Sequence, residues 1–169
     1  MFNPNYYRWI ASSLNHHFKR YLRSAPMYVE GDNYDQQNAF ERFEFRHDVP
    51  EVEEQAKDDW QALVRVNVFI TTDKAADLYR VDRLIGEANV GFTNTIPLFK
   101  FGVDAVDNPL EQIACMQLQG QITVTRMGRM QPGINTMRAA LNAYYIVDVP
   151  GIPNLQFVED NLVLSDEVQ

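Results

Sequence analysis

Trp60-Gln61-Ala62-Leu63-Val64-Arg65-Val66-Asn67-Val68-Phe69-Ile70 decides the fold. Its even positions read Trp, Ala, Val, Val, Val, Ile, while its odd positions read Gln, Leu, Arg, Asn, Phe. A period of two held over that length predicts a strand with one face on a core. Downstream, Thr71-Thr72-Asp73 offers hydroxyl and carboxylate N-caps, and the spacing changes to Leu78, Val81, Leu84/Ile85 and Ala88, one face of a helix. Strand and helix are therefore expected to be neighbours in space. Upstream, residues 51–59 hold Glu51, Glu53, Glu54, Asp58 and Asp59 against Lys57 alone, which reads as an acidic loop.

Further out, Asn3-Pro4 signals a helix start, and Tyr7, Ile10, Leu14, Phe18 and Tyr21 follow at spacings of three and four. Lys19, Arg20 and Arg23 complement the dipole before Pro26, predicting a helix from about residue 4 to 24. His16 and His17 are adjacent, so their side chains diverge by about 100° and they lack the i, i+4 geometry of a metal pair; two partly exposed histidines are expected. Met27-Tyr28-Val29 reads as a short strand and 40–46 as the next, with Phe43 and Phe45 alternating against Arg42, Glu44 and Arg46.

Past the helix, 95–101 is a strand interrupted by Pro97, which lacks a ladder donor and belongs on an edge. Residues 111–129 read as a long extended segment, with Gly120 marking a bulge and Ile122 and Val124 facing the core. Gln131-Pro132-Gly133 is a turn signal, so 120–130 and 136–148 are expected to pair antiparallel. The second of these puts Met137, Ala139, Leu141, Ala143, Tyr145 and Val147 on one face. Arg126, Arg129 and Arg138 are expected to cluster at this hairpin, either simply exposed or meeting the acidic loop of a neighbouring copy. After Pro150 an acidic tail still carries Phe157, Leu162 and Leu164, too apolar for a free solvated end, so an arm packing on the domain or a neighbour is expected.

A chain of 169 residues with 46% hydrophobic content fits one domain with a sizeable core. The order of elements predicts an α+β fold, helices packed on a mainly antiparallel sheet over 1–149, with an extended C-terminal arm over 150–169. The net charge of −8 argues against a phosphate-gripping surface, and an acidic wall would instead let DNA slide past. The single Cys115 excludes an intrachain disulfide and is expected to be a small buried hydrophobe. No stretch reads as a membrane span or a secretion signal. No phosphate loop or nucleophile elbow is present, so no catalytic, cofactor or metal residue is assigned and no cofactor is expected.

Asp58-Asp59-Trp60-Gln61-Ala62, continuing through Val66-Asn67-Val68-Phe69 into a helix with Ala76-Asp77-Leu78 and Arg83-Leu84-Ile85, resembles the tail-terminator proteins of lambda-type long-tailed bacteriophages. The likeness spans roughly residues 6 to 148, and this chain is longer from about Gly91 to Gly120 and after Pro150. The resemblance implies a structural virion protein: a six-fold ring at the head-proximal end of the tail, assembled in the host cytoplasm. Such a ring stops polymerisation of the tail tube protein and joins the tail to the neck or connector protein while DNA passes unbound through its lumen. Glu51, Glu53, Glu54, Asp58 and Asp59 would then line or rim the channel. Arg126, Arg129, Arg138, Phe157, Leu162 and Leu164 are candidates for contacts between subunits. The alternatives are another neck or head-completion protein of the same virion and, from a different class, a small cytosolic enzyme or ligand-binding domain.

Overall fold

The computed structural model describes residues 2–29, 41–74, 79–102, 109–129 and 136–150, with 128, 129 and 150 described by their backbone. The elements in chain order are α1 (Asn5–Phe18), β1 (Met27–Val29), β2 (Arg42–Ala56), β3 (Asp59–Thr72), α2 (Arg80–Gly91), β4 (Thr95–Phe101), β5 (Pro109–Arg129) and β6 (Met137–Pro150). Six strands form one curled sheet in the order β1-β2-β3-β6-β5-β4. Among the described residues β1 and β2 pair in parallel and the other four pairings are antiparallel. The fold is α+β in a single domain, as the order of elements predicts.

β3 lies inside the sheet because its two-residue period leaves a continuous apolar face for both neighbours to extend. Val64, Val66, Val68 and Ile70 stand opposite Tyr145, Ala143, Leu141 and Ala139 of β6, and all eight are fully buried. Small residues stand opposite Val66 and Ile70 and a tyrosine opposite Val64, so large and small side chains alternate across the layer. On the other side Phe43 and Phe45 of β2 face Ile70 and Val68. α1 closes over this layer with Tyr6, Trp9, Ile10, Leu14 and Phe18. The Phe18 ring sits 4.8 Å from Phe45 and 5.1 Å from Phe92. Burial of five large side chains contributes about 1.5–3 kcal/mol each, which makes this helix a main prop of the core.

α1 ends at Phe18 and not near residue 24: Arg20 and Tyr21 donate to carbonyls three residues back in a tightened turn, and beyond it a carboxylate elsewhere takes the next donors. Glu87 of α2 accepts the backbone N–H groups of Arg23 (2.5 Å) and Ser24 (2.8 Å), drawing the chain out of its helical path. Of the expected stripe Ile10, Leu14 and Phe18 are buried, but Tyr7 is exposed and Tyr6 takes the core side in its place. α2 begins at Arg80 and not after Asp73, since Thr71 and Thr72 belong to β3. The Thr72 hydroxyl donates to Glu41 (2.6 Å) and accepts the Lys74 N–H (3.1 Å), so it is not a cap of α2. Leu78 lies outside the described residues.

Pro97 does sit on an edge strand, β4. Its exposed edge is closed by α1: Trp9 Nε1 and Arg8 donate to the Phe101 carbonyl at 3.2 Å each, and the Phe99 N–H donates to Ser13 Oγ at 2.9 Å. Gly120 carries a φ of +70° where the β5–β6 register slips between Gln119 and Thr123, which is the expected bulge. The expected β5–β6 pairing runs from Thr123 opposite Asn142 to Arg129 opposite Met137. Ile122 packs against the core, as expected, but Val124 is exposed.

Candidate assembly surface

Both helices lie on one face of the sheet, and among the described residues no helix or strand covers the other. On that open face Glu44, Arg46 and Asp48 of β2 stand opposite Phe69, Asn67 and Arg65 of β3. Arg65 grips Asp48 with both arms of its guanidinium, one bond measuring 3.0 Å, and Arg46 lies 5.2 Å over the Phe69 ring. Asn67 and Asn142 join their side-chain amides across β3 and β6, and Gln61 donates to Asp148 at 3.2 Å. Leu63, Ile146 and Tyr144 lie among these groups, so the surface alternates charge, amide and apolar area. Exposed pairs of this kind fix orientation more than they stabilise, at about 0–1 kcal/mol each.

The acidic segment is not a loop. Glu51–Ala56 continues β2 and pairs with the start of β3, Glu51 opposite Leu63 and Glu53 opposite Gln61. The turn at Lys57-Asp58 carries Asp58 at a φ of +63°. Such a left-handed turn suits a short polar side chain, and the Glu54 carboxylate braces it by accepting the Asp58 N–H at 3.0 Å. All five predicted carboxylates are exposed at one end of the sheet. Register divides them: Glu51 and Glu53 share the open face with Leu63 and Gln61, whereas Glu54 stands opposite Trp60 on the helix side. Asp148 of β6 joins the group and was not predicted as part of it; its place on the polar face of that strand was the available signal. It lines a shallow groove with Gln55, Asp59, Trp60 and Val149.

Arg126 and Arg138 do not share a cluster, and the Arg129 side chain lies outside the described residues. Arg126 stands opposite Ala139 on the helix side and pairs with Asp82 of α2. Arg138, the next residue along β6, projects to the open face in a groove with Glu44, Arg46, Phe69 and Met127, its buried Nε lacking a hydrogen-bond partner. A hairpin reads as one feature in sequence, but the pleat sends neighbours to opposite faces. Phe157, Leu162 and Leu164 lie outside the described residues.

Titratable groups in the interior serve the fold. His17 is buried and not partly exposed as expected: its Nε2–H donates to the Gly91 carbonyl at 2.9 Å, and burial holds its pKa below the ordinary value. His16 packs edge-on against Phe99 and Phe101. The Arg80 guanidinium holds the Glu41 carboxyl below its usual range, with the Thr72 hydroxyl adding to the same effect. Cys115 is exposed and accepts from Gln112, because Met116 takes the core side of β5 at that point. Among the described residues no group of three or more His, Cys, Asp or Glu is arranged to hold a metal ion. No helix there is long and apolar enough to cross a membrane.

No family model matches the chain, and no curated protein matches it. Among the solved structures that match, one whose name records no function is similar at 9% identity over 85% of this chain and 98% of that chain, with a TM-score of 0.47. A likeness at that level carries no argument about function.

Proposed function

We propose that this chain is the subunit of a tail-terminator ring, a structural component of a long-tailed bacteriophage virion. The ring would cap the tail tube, stop its polymerisation and join it to the neck or connector protein, with DNA passing through the lumen without specific binding. The action is steric: one rim matches the tube and the other does not.

The observation that carries the reading is the placement of the family-like stretch. Asp58-Asp59-Trp60-Gln61-Ala62 forms the turn and opening of β3, Val66 to Phe69 is its buried and open-face middle, and Arg83-Leu84-Ile85 lies on α2. Two further features agree with it. The helices occupy one face of the sheet and leave the other for partners, and the acidic end is unsuited to gripping phosphates.

Adding the purified protein to polymerising tube protein tests the proposal. The expected result is tubes that stop growing, with one ring at a single end. Tubes that lengthen at an unchanged rate, with no density at either end, remove the terminator reading. Binding to a neck protein without any effect on tube growth would move the chain to the other head-completion proteins.

A further inference from the structure

The outer edges of the sheet are not treated alike. α1 closes the edge of β4 with Trp9, Arg8 and Ser13. β1 covers β2 at Phe43–Phe45, and for Glu51–Ala56 β3 is the only described neighbour. On the far side β4 covers β5 up to Gln117, and for Gln119–Arg129 β6 is the only described neighbour. Two stretches of main chain thus present N–H and C=O groups along opposite edges of one sheet, and such rows are templates for a further strand.

The two edges are complementary in charge and direction. Glu51–Ala56 carries three glutamates and no Lys or Arg, while Gln119–Arg129 carries Arg129 and Arg126, the latter paired within the chain to Asp82, and no carboxylate. Because each step β2-β3-β6-β5 is antiparallel, β2 and β5 run in opposite directions. A neighbour in the same orientation therefore offers an antiparallel partner. We infer that a second copy of this chain docks edge to edge, Glu51–Ala56 of one copy on Gln119–Arg129 of the next, so that the sheet continues from subunit to subunit. Main-chain bonds supply the contact and charge selects its partner. Two acidic edges repel each other, as do two arginine-bearing ones, which leaves the head-to-tail arrangement that closes a ring.

The edges are also staggered. Glu53 lies level with Gln61, and Val124, through Leu141, level with Val68. The neighbour steps about seven residues along the strands, roughly 23 Å at ~3.3 Å per residue. That step tilts the strands against the axis of any closed assembly, as closing a sheet requires. The inference rests on the ring reading for closure and not for the pairing itself.

The test uses the full chain, with solution mass and amide hydrogen exchange followed across a concentration series. Backbone protection at 51–56 and 119–129 is expected to rise together as mass rises. Glu51→Lys with Glu53→Lys is expected to weaken self-association by about tenfold or more, as is Arg126→Glu with Arg129→Glu. Mixing the two variants is expected to restore assembly, since each then meets an oppositely charged edge; circular dichroism checks that each is folded. Rings whose two edges stay unprotected, or that ignore both reversals, overturn the edge pairing and leave the ring reading standing. Rings lost on truncation after Pro150 but untouched by the charge reversals would assign the contact to the arm. A chain that stays monomeric even with tube protein present removes both.

Discussion

Tyr144 and Tyr145 are adjacent on β6 and point to opposite faces, so together they test the layer assignment on which everything else depends. The Tyr145 side chain is fully buried opposite Val64, and its hydroxyl donates to the Thr93 carbonyl at 2.8 Å. Burial pushes its pKa upward, so the phenol stays protonated and keeps donating. Tyr145→Phe removes that bond and strands a carbonyl, a loss of about 1–2 kcal/mol. Tyr145→Ala also empties the centre of the layer and should cost about 3–5 kcal/mol. Tyr144 is 38% exposed on the open face, and Tyr144→Ala should change stability by about 0.5 kcal/mol or less. Denaturant unfolding read by circular dichroism measures all three on one scale. A Tyr144→Ala loss equal to or larger than that of Tyr145→Ala would refute the face assignment, and with it the open surface.

Other expectations concern the supports of that layer. Stability should fall on acidification in two stages, because both groups titrate lower in the folded chain than in the unfolded one. His17 contributes fully above about 6.5 and loses that contribution as the pH falls through its lowered folded pKa, while Glu41 does the same from about 4.5 downward. Thermal unfolding between pH 8 and 3 checks this, and His17→Gln should flatten the first stage. Gly91→Ala places a methyl 3.1 Å from the Phe18 ring and 3.3 Å from Tyr21 Cβ, so a loss of about 1–3 kcal/mol is expected in the same unfolding assay. At Gly120 space is open but φ is +70°, so Gly120→Ala should cost about 1 kcal/mol through backbone strain alone. Cys115 should react with a soluble maleimide in the native chain at close to the rate seen after unfolding, by mass spectrometry; complete protection would place it in the core.

The parts of the fold set by local alternation were legible. β3 and β6 announced their buried faces but not their ends, since Thr71 and Thr72 read as caps and β6 runs on to Pro150, while Pro97 announced an edge and Gly120 a bulge. Features decided by partners far along the chain were not. The path of the chain at Arg23 and Ser24 depends on Glu87, more than sixty residues away, and the burial of His17 depends on the Gly91 carbonyl. Residues 51–56 look like a loop because carboxylates are poor strand formers, yet β3 supplies a partner strand that holds them extended. The arginines illustrate the same limit on a candidate site: Arg126 finds Asp82 on a helix that the hairpin sequence does not mention. The carboxylates were legible as a group, but their division between two faces required the register.

The proposed function stands on the closure of this chain into a ring. Light scattering of the purified protein over a concentration series, with negative-stain images of the same sample and of the sample mixed with tube protein, tests it most directly. The expected result is a single closed species of about six copies of the 19.6 kDa chain, with a central hole, alone or on a tube end. A monomer throughout, with no ring on any tube, would contradict it.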